Sequence, residues 1–285
     1  MKRPSMPRTT RKTSIRDIPL KVRRRLQLPY EVQIETSSGS FRYRTDKRDA
    51  LYVRTTDANF GGWERIPRKF FSAIASSSRT ILDVGAYSGI YSLIALASSP
   101  TSVVHAIEPM AENFKRTMRN LSLNSQFSPE RWYVHNFAAS HIKTDITLYF
   151  DANAPLDTAS VDENFRDAAS SCEVAKAIPL DSCNFRNVDL IKIDVEGHES
   201  SVLRGAKTLL SESTPFVLFE SLSENQLESC KSEFHAAGYE SIVLLDARKR
   251  VYSAVPHARS SETKERVSLF SRLCREENLE IRPIA

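Results

Sequence analysis

Four ionisable side chains crowd the end of one apolar run. In LIKIDVEGHE (residues 190–199), Asp194, Glu196, His198 and Glu199 arrive within six positions, and a second run, FVLFE, ends in Glu220. A carboxylate or an imidazole at such a strand tip can take a proton from a hydroxyl as a new bond forms on its oxygen. Asp194 and Glu196 alternate, so they are expected to share one side of the strand end and to raise each other's pKa. Glu196 is the favoured contact for the reacting group, with Asp194, His198 and Glu220 as further catalytic candidates. The other reading of His198 is a solvent-facing turn residue, and Glu199 reads as an acid placed by the helix dipole in a first turn. Gly197 permits the turn. Carboxylates and one histidine could ligate a metal, but the six histidines are scattered and no H-x-x-x-H pair exists, so no metal is assigned.

A second constellation lies about a hundred residues earlier. ILDVGAYSG (81–89) is a short apolar strand running into Asp-x-Gly-x-x-x-Gly and then a helix-forming stretch. Gly85 would allow a tight turn, and Gly89 would let the helix start pack close to the strand. Asp83, at the strand's end, can accept hydrogen bonds from a ligand's amine. Glu108 ends the next strand and suits the two hydroxyls of a ribose. Asn136, ending the third, is placed to approach an adenine edge, and Ala138 is small enough for the ring to lie flat. The G-x-G-x-x-G of dinucleotide enzymes and the P-loop lysine are both absent. A nucleoside without a pyrophosphate fits better, and S-adenosylmethionine is the evident one.

The elements that must hold these tips alternate along the chain. ILDV precedes a helix with Ile90, Leu93, Ile94 and Ala97 at helical spacing. VVHAI (103–107) precedes a second, with Phe114, Met118 and Leu121 on one face. YVHNFA (133–138), ITLYF (146–150) and VAKAI (174–178) follow, and then LIKIDV, whose helix carries Val202, Ala206, Leu209 and Leu210. FVLFE, another helix and SIVLL (241–245) complete the series. Strands alternating with crossover helices imply an α/β fold with a doubly wound, mostly parallel sheet, because crossovers return the chain in one direction and cover both faces. In such a sheet ligands sit beyond the carboxyl ends of the strands. Residues 30–78 read as an N-terminal hairpin and helix extension, 79–250 as the core domain, and 251–285 as a C-terminal extension with an amphipathic helix. Residues 151–172 read as a loop near the substrate edge.

These residues resemble the FkbM family of S-adenosylmethionine-dependent methyltransferases. Its pattern is an apolar strand with D-x-G-A-N-x-G, E-P at the second strand, then I-K-x-D-V-E-G-x-E-x-x-V-L-x-G-A. This chain has DVGAYSG, IEPMAENF and LIKIDVEGHESSVLRGA followed by TPFVLFE, and the likeness runs from about residue 60 to 222. The resemblance implies a Rossmann-like class I methyltransferase fold and methyl transfer, typically to a hydroxyl oxygen of a sugar, polyketide or other small metabolite. It implies cofactor contacts at Asp83, Gly85, Gly89, Glu108 and Asn136, and in the same turn at Ala86, Tyr87 and Ser88. Tyr87 stands where the family usually has Asn, so a polar contact there is lost or taken over by the phenol. Glu64, in the Gly62-Trp63-Glu64 lead-in, is a further candidate for the methionine amine, an exposed helix-start acid being its other reading.

Composition bounds the setting. Of the formal net charge of +5, residues 1–25 supply ten Lys or Arg against Asp17 alone, while the other 260 residues hold 30 basic and 34 acidic groups. Basicity therefore belongs to residues 1–29, a leader expected to be disordered and suited, over 1–25, to an anionic surface or partner. The four cysteines show no pairing pattern, no apolar run approaches bilayer length and no secretory signal is evident, so a cytoplasmic protein is expected, with peripheral attachment at a membrane as an alternative. Two rival functions are an RNA methyltransferase using the leader and a non-catalytic protein that keeps the fold. The net acidic body and the lack of N-P-P-Y, D-P-P-Y or a Pro-Cys nucleophile weigh against nucleic acid, and the intact acidic edge weighs against decay.

Overall fold

The computed structural model describes residues 22, 28–36, 38–46, 49, 51, 62–151, 159–161, 170–257 and 260–284. The expected leader and the middle of the expected 151–172 loop lie almost wholly outside them. Among the described residues no helix is long and apolar enough to cross a membrane.

Five strands run parallel at the centre: β3 (Thr80–Val84), β4 (Val103–Ile107), β5 (Trp132–His135), β9 (Val188–Ile193) and β10 (Phe216–Glu220). They belong to an eight-stranded sheet that continues through β12 (Val251–Val255) and β11 (Ser241–Asp246) to β13 (Ile281–Pro283), in the order β13-β11-β12-β10-β9-β3-β4-β5. The last three add antiparallel. The chain winds outward from β3 to β5 and then resumes at β9 on the other side of β3. Order therefore reverses between β3 and β9, the point at which such sheets open a crevice for ligands. Every residue of β9 is buried, as expected of a strand covered on both faces.

Helices fill the two faces. α1 (Arg65–Ala75), α2 (Ile90–Ser98), α3 (Ala111–Ser122) and α7 (Ser261–Glu276) lie with one apolar cluster, in which Phe70, Phe71, Leu93, Ile94 and Phe270 meet the strands. α4 (Glu199–Arg204), α5 (Lys207–Ser213) and α6 (Glu224–Ala236) lie with the other, around Val202, Leu203, Leu210 and Phe234. The hairpin β1 (Tyr30–Thr36) and β2 (Gly39–Thr45) pairs Tyr30 with Thr45 and buries Ile34, Phe41 and Tyr43 in the first cluster.

Four features depart from the sequence reading. The sheet runs past residue 250, since β12 lies between β10 and β11, so the C-terminal stretch contributes to the core. Residues 144–150 (β7) and 171–178 (β8) join Ala138–Ala139 (β6) in a separate three-stranded sheet beside the crevice. The expected helix after β9 is two short ones, α4 and α5. They part at Gly205, where a Cβ would stand 1.9 Å from the Ser140 carbonyl oxygen, a distance no side chain tolerates. Finally, α3 buries a polar face, Asn113, Arg116, Thr117 and Asn120 with Leu121, and leaves Met118 exposed. Thr117 and Asn120 meet backbone of the hairpin and of the 85–89 turn, and Arg116 and Asn113 meet the carboxyl groups of Asp46 and Glu108, all of which need donors and acceptors rather than methyl groups.

Candidate active site

Two turns meet over the β3/β9 switch point. The first, residues 85–89, leaves β3. Gly85 has φ 78°, and a Cβ there would lie 1.8 Å from the Asp194 carbonyl oxygen, so only glycine lets this turn touch the one that leaves β9. The contact is reinforced by the Asp194 amide, which donates to the Val84 carbonyl at 3.0 Å. Each turn holds one non-glycine residue in the left-handed region, Tyr87 at φ 54° and Glu196 at φ 52°. Such backbone is costly for ordinary residues and persists only where its surroundings enforce it.

Around these turns open two adjoining clefts. The first, about 610 Å³ and partly open to solvent, runs from Gly85, Tyr87 and Glu108 past Ala138, Ile146 and Leu148 to His198. Its walls are mainly apolar. The second, about 670 Å³, is bounded by Trp63 and Tyr91 and carries Glu64, Asp83, Lys192, Glu220 and Lys249. Gly85, Tyr87, Asp194 and Glu196 border both.

In the first cleft Glu108 is buried, its Oε2 accepting from the Tyr87 amide at 2.8 Å and its Oε1 from the Met110 amide at 2.9 Å. Burial pushes its pKa up to about 8 despite these donors and the Asn113 side chain. Ala138 lines the cleft as expected, and His198 lies at its rim. The His198 Nε2 is 3.1 Å from the Ser140 hydroxyl, and burial followed by the neighbouring His141 lowers its pKa, so it is neutral at pH 7. Asn136 does not line either cleft. It is exposed, and its amide donates to the carbonyls of Glu108 and Pro109 at 2.9 and 2.8 Å, fixing the bend after β4.

The second cleft is organised by Lys192, a residue with no role in the sequence reading. It sits inside β9 with 1% exposure, and its Nζ donates to Asp194 Oδ2 at 2.9 Å. Burial disfavours the ammonium, but Asp194, Glu64 and Glu220 outweigh it and raise the lysine's pKa. Burial likewise opposes ionisation of Asp194, and the Lys192 ammonium overcomes it, holding that carboxyl below its ordinary range. Glu220 goes the other way. Burial, then the Asp194 charge, push it up to about 9, so it stands as the proton donor beside an ionised Asp194. The expected carboxyl pair is therefore Asp194 with Glu220 rather than Asp194 with Glu196. Glu196 lies on a turn that carries it away from the strand's alternation.

Glu64 is buried rather than exposed, accepts from the Tyr91 hydroxyl at 2.5 Å and is shifted upward by burial. Asp83 lines the same cleft, but its Oδ2 already accepts from the Ser92 amide and hydroxyl at 2.9 and 2.6 Å, and burial raises it to about 6. Ala86 faces this cleft. Ser88 does not reach either cleft. It is fully buried, with its Oγ 2.6 Å from the Tyr43 hydroxyl. Gly89 lies behind the turn at the start of α2, where a Cβ would meet α3, at Thr117, rather than strand β3. Glu199, in the first turn of α4, folds back so that its Oε1 accepts from the Val195 and Gly197 amides at 3.1 and 3.3 Å. Among the described residues no three His, Cys, Asp or Glu converge as metal ligands.

A family model described as the methyltransferase FkbM domain matches residues 83–241, from Asp83 at one cleft through both turns to β11. The chain belongs to that family. Its fold is the α/β, Rossmann-like class I methyltransferase type, with the sheet order given above. No curated protein matches the sequence. Among solved structures, the FkbM methyltransferase from Methylobacillus flagellatus KT shows 20% identity and a TM-score of 0.46 over 62% of this chain and 44% of that one. The precorrin-6y C5,15-methyltransferase from Geobacter metallireducens GS-15 shows 13% identity and a TM-score of 0.42 over 65% and 84%. This chain thus spans less than half the length of the first. The FkbM domain stops short of Trp63 and Glu64 ahead of it and Lys249 behind it, which line the second cleft, and of the hairpin that meets Ser88 behind the first turn.

Proposed function

We propose that the chain is an S-adenosylmethionine-dependent methyltransferase acting on a hydroxyl oxygen of a small molecule or glycan. The observation that carries this is the meeting of an apolar cleft floored by Glu108 with a charged cleft of both signs, along a border formed by Gly85, Tyr87, Asp194 and Glu196. The first suits an adenosine, with Glu108 toward the ribose and Ala138 beneath the ring. The second suits an α-amino acid, whose ammonium would meet Glu64 and the free side of Asp83.

Bound there, the cofactor supplies a methyl on a positively charged sulfur. The protein's part is to orient, to exclude water and to manage a proton. Charge is lost as the methyl moves, so apolar walls and a held geometry favour the step. Glu196, on the border of both clefts, is placed to take the acceptor's proton. Asp194 is committed to Lys192, and Glu220 holds its own proton at neutral pH, so these two orient the acceptor's hydroxyl and fix the local charge.

Incubation with methyl-labelled cofactor and an extract of metabolites and glycans, followed by mass spectrometry, tests the reading. A labelled ether is expected from the wild-type protein. Glu196→Gln should retain S-adenosylhomocysteine binding and lose about 10²-fold or more in turnover. Unchanged turnover would remove Glu196 from the role of base, and no calorimetric binding of S-adenosylhomocysteine would remove the cofactor.

A further inference from the structure

We propose that the N-terminal hairpin, outside the matched family domain, is a working part of the cofactor site: Tyr43, anchored by Asp49, positions the 85–89 turn through Ser88 and thereby sets nucleoside affinity. The proposal rests on the cofactor reading above.

The geometry is specific. The Tyr43 side chain comes from β2, has no exposure, and its hydroxyl lies 2.6 Å from both Asp49 Oδ2 and Ser88 Oγ. With one proton to give, Tyr43 donates to the Asp49 carboxylate and accepts from Ser88, which orients the serine hydroxyl. Asp49 is itself pinned, its Oδ1 accepting from the Leu51 amide at 2.9 Å, and Leu51 lines the charged cleft. Two residues of α3 complete the clamp. Asn120 accepts from the Arg44 amide at 3.1 Å and donates to the Ser88 carbonyl at 2.9 Å, so one side chain ties β2 to the turn. Thr117 donates to the Tyr87 carbonyl at 2.9 Å.

Between them these bonds hold Tyr87, which adopts φ 54° at the bend, and Ser88, which follows it. A non-glycine residue leaves that conformation readily unless its surroundings fix it. Tyr87 borders both clefts, and its amide is bonded to Glu108, the ribose candidate. Loosening Ser88 therefore lowers the fraction of molecules with a competent turn, and affinity falls in proportion. Tyr43 touches neither cleft, so it is a positioning residue. Its signature is a loss of cofactor affinity with little change in turnover at saturation.

The test is calorimetric titration of the full chain with S-adenosylhomocysteine. Tyr43→Phe keeps the ring in the core and removes the hydroxyl. Its Kd should rise roughly 3- to 10-fold, the span that the net worth of one hydrogen bond gives. Ser88→Ala, the other end of the same bond, should give a similar rise. The double variant should be no weaker than the weaker single one, because both break one link. Tyr239→Phe is the control: an equally buried tyrosine, bonded to the Pro215 carbonyl far from the turn, whose loss should lower Tm without moving Kd. A Kd within about twofold of wild type for Ser88→Ala and Tyr43→Phe overturns the proposal, as does additivity in the double variant. Should Tyr43→Phe fail to fold, Ser88→Ala alone decides. No binding to the wild-type protein overturns the cofactor reading and this proposal with it, whereas normal wild-type binding with unshifted variants overturns this proposal alone.

Discussion

The two turns over the switch point are built alike and held differently. Both follow a central parallel strand, both carry a left-handed non-glycine residue that reaches the clefts, and they touch where Gly85 meets the Asp194 carbonyl. The 194–198 turn is braced in part from within its own segment, by Glu199 folding back on the Val195 and Gly197 amides, with the Ser160 hydroxyl on the Glu196 carbonyl at 3.1 Å and Ser140 against His198 adding support from outside it. The 85–89 turn is braced from elsewhere, by Tyr43, Thr117 and Asn120. A turn braced locally can be read from a short motif. One braced at a distance depends on parts of the chain that no motif spans.

The contact the turns share is the first place to break them. Gly85→Ala puts a methyl carbon against the Asp194 carbonyl and forces a left-handed alanine, so both turns must move. We expect a loss of about 3 kcal/mol or more, seen as low soluble yield or a midpoint shift in urea unfolding. Unaltered stability would mean that the turns do not touch.

Lys192→Met acts on the charge beneath both turns. Breaking one side of a buried pair costs about 3–5 kcal/mol, and the lower end applies because the Asp194 side chain keeps 30% exposure. The methionine chain still packs under the Tyr91 ring, 5.1 Å from the lysine's nitrogen, so the loss should come from the charge. A Tm drop that shrinks at low pH, where Asp194 is protonated, identifies it. A pH-independent drop would assign it to packing.

The smallest effect separates the two braces. Glu199 is buried and raised to about 7, by burial first, so it is protonated in the folded protein where the unfolded chain has ionised. The stability it confers is full below about pH 4.5 and falls as pH rises toward 7. Glu199→Gln keeps an oxygen for the two amides and removes the titration. Thermal unfolding between pH 4.5 and 7 should then show a smaller fall in Tm than wild type, with cofactor affinity unmoved. A loss of affinity comparable to that of Tyr43→Phe would erase the distinction between the turns.

Much of the site was legible because its signals are local. Parallel strands covered on both faces must be continuous apolar runs, so 81–84, 103–107, 190–193 and 216–220 stand out, and their tips name Asp83, Glu108, Asp194 and Glu220. Periodicity failed where burial was polar. Asn113, Arg116, Thr117 and Asn120 look like the wet side of α3, yet they are its inner face, because Thr117 and Asn120 meet backbone while Asn113 and Arg116 meet carboxyl groups. Lys192 stands in the I-K-x-D pattern but takes no role from it, since one lysine in an apolar strand does not announce its partner. Ser88, expected at the ligand from its turn, and Asn136, expected there from its strand end, do not line either cleft and instead hold bends.

By itself, then, the order of residues determined the winding of the sheet, the glycine turn and the set of acids that crown it, since strand period, turn chemistry and helix spacing act over a few neighbours. Only the tertiary structure decided which acids pair, that Asp194 stays charged while Glu220 keeps its proton, and that a hairpin from outside the family domain supports the first turn. Those outcomes turn on burial and on distances between segments far apart in the chain, and charge in a buried site is governed by what the fold brings within hydrogen-bonding reach.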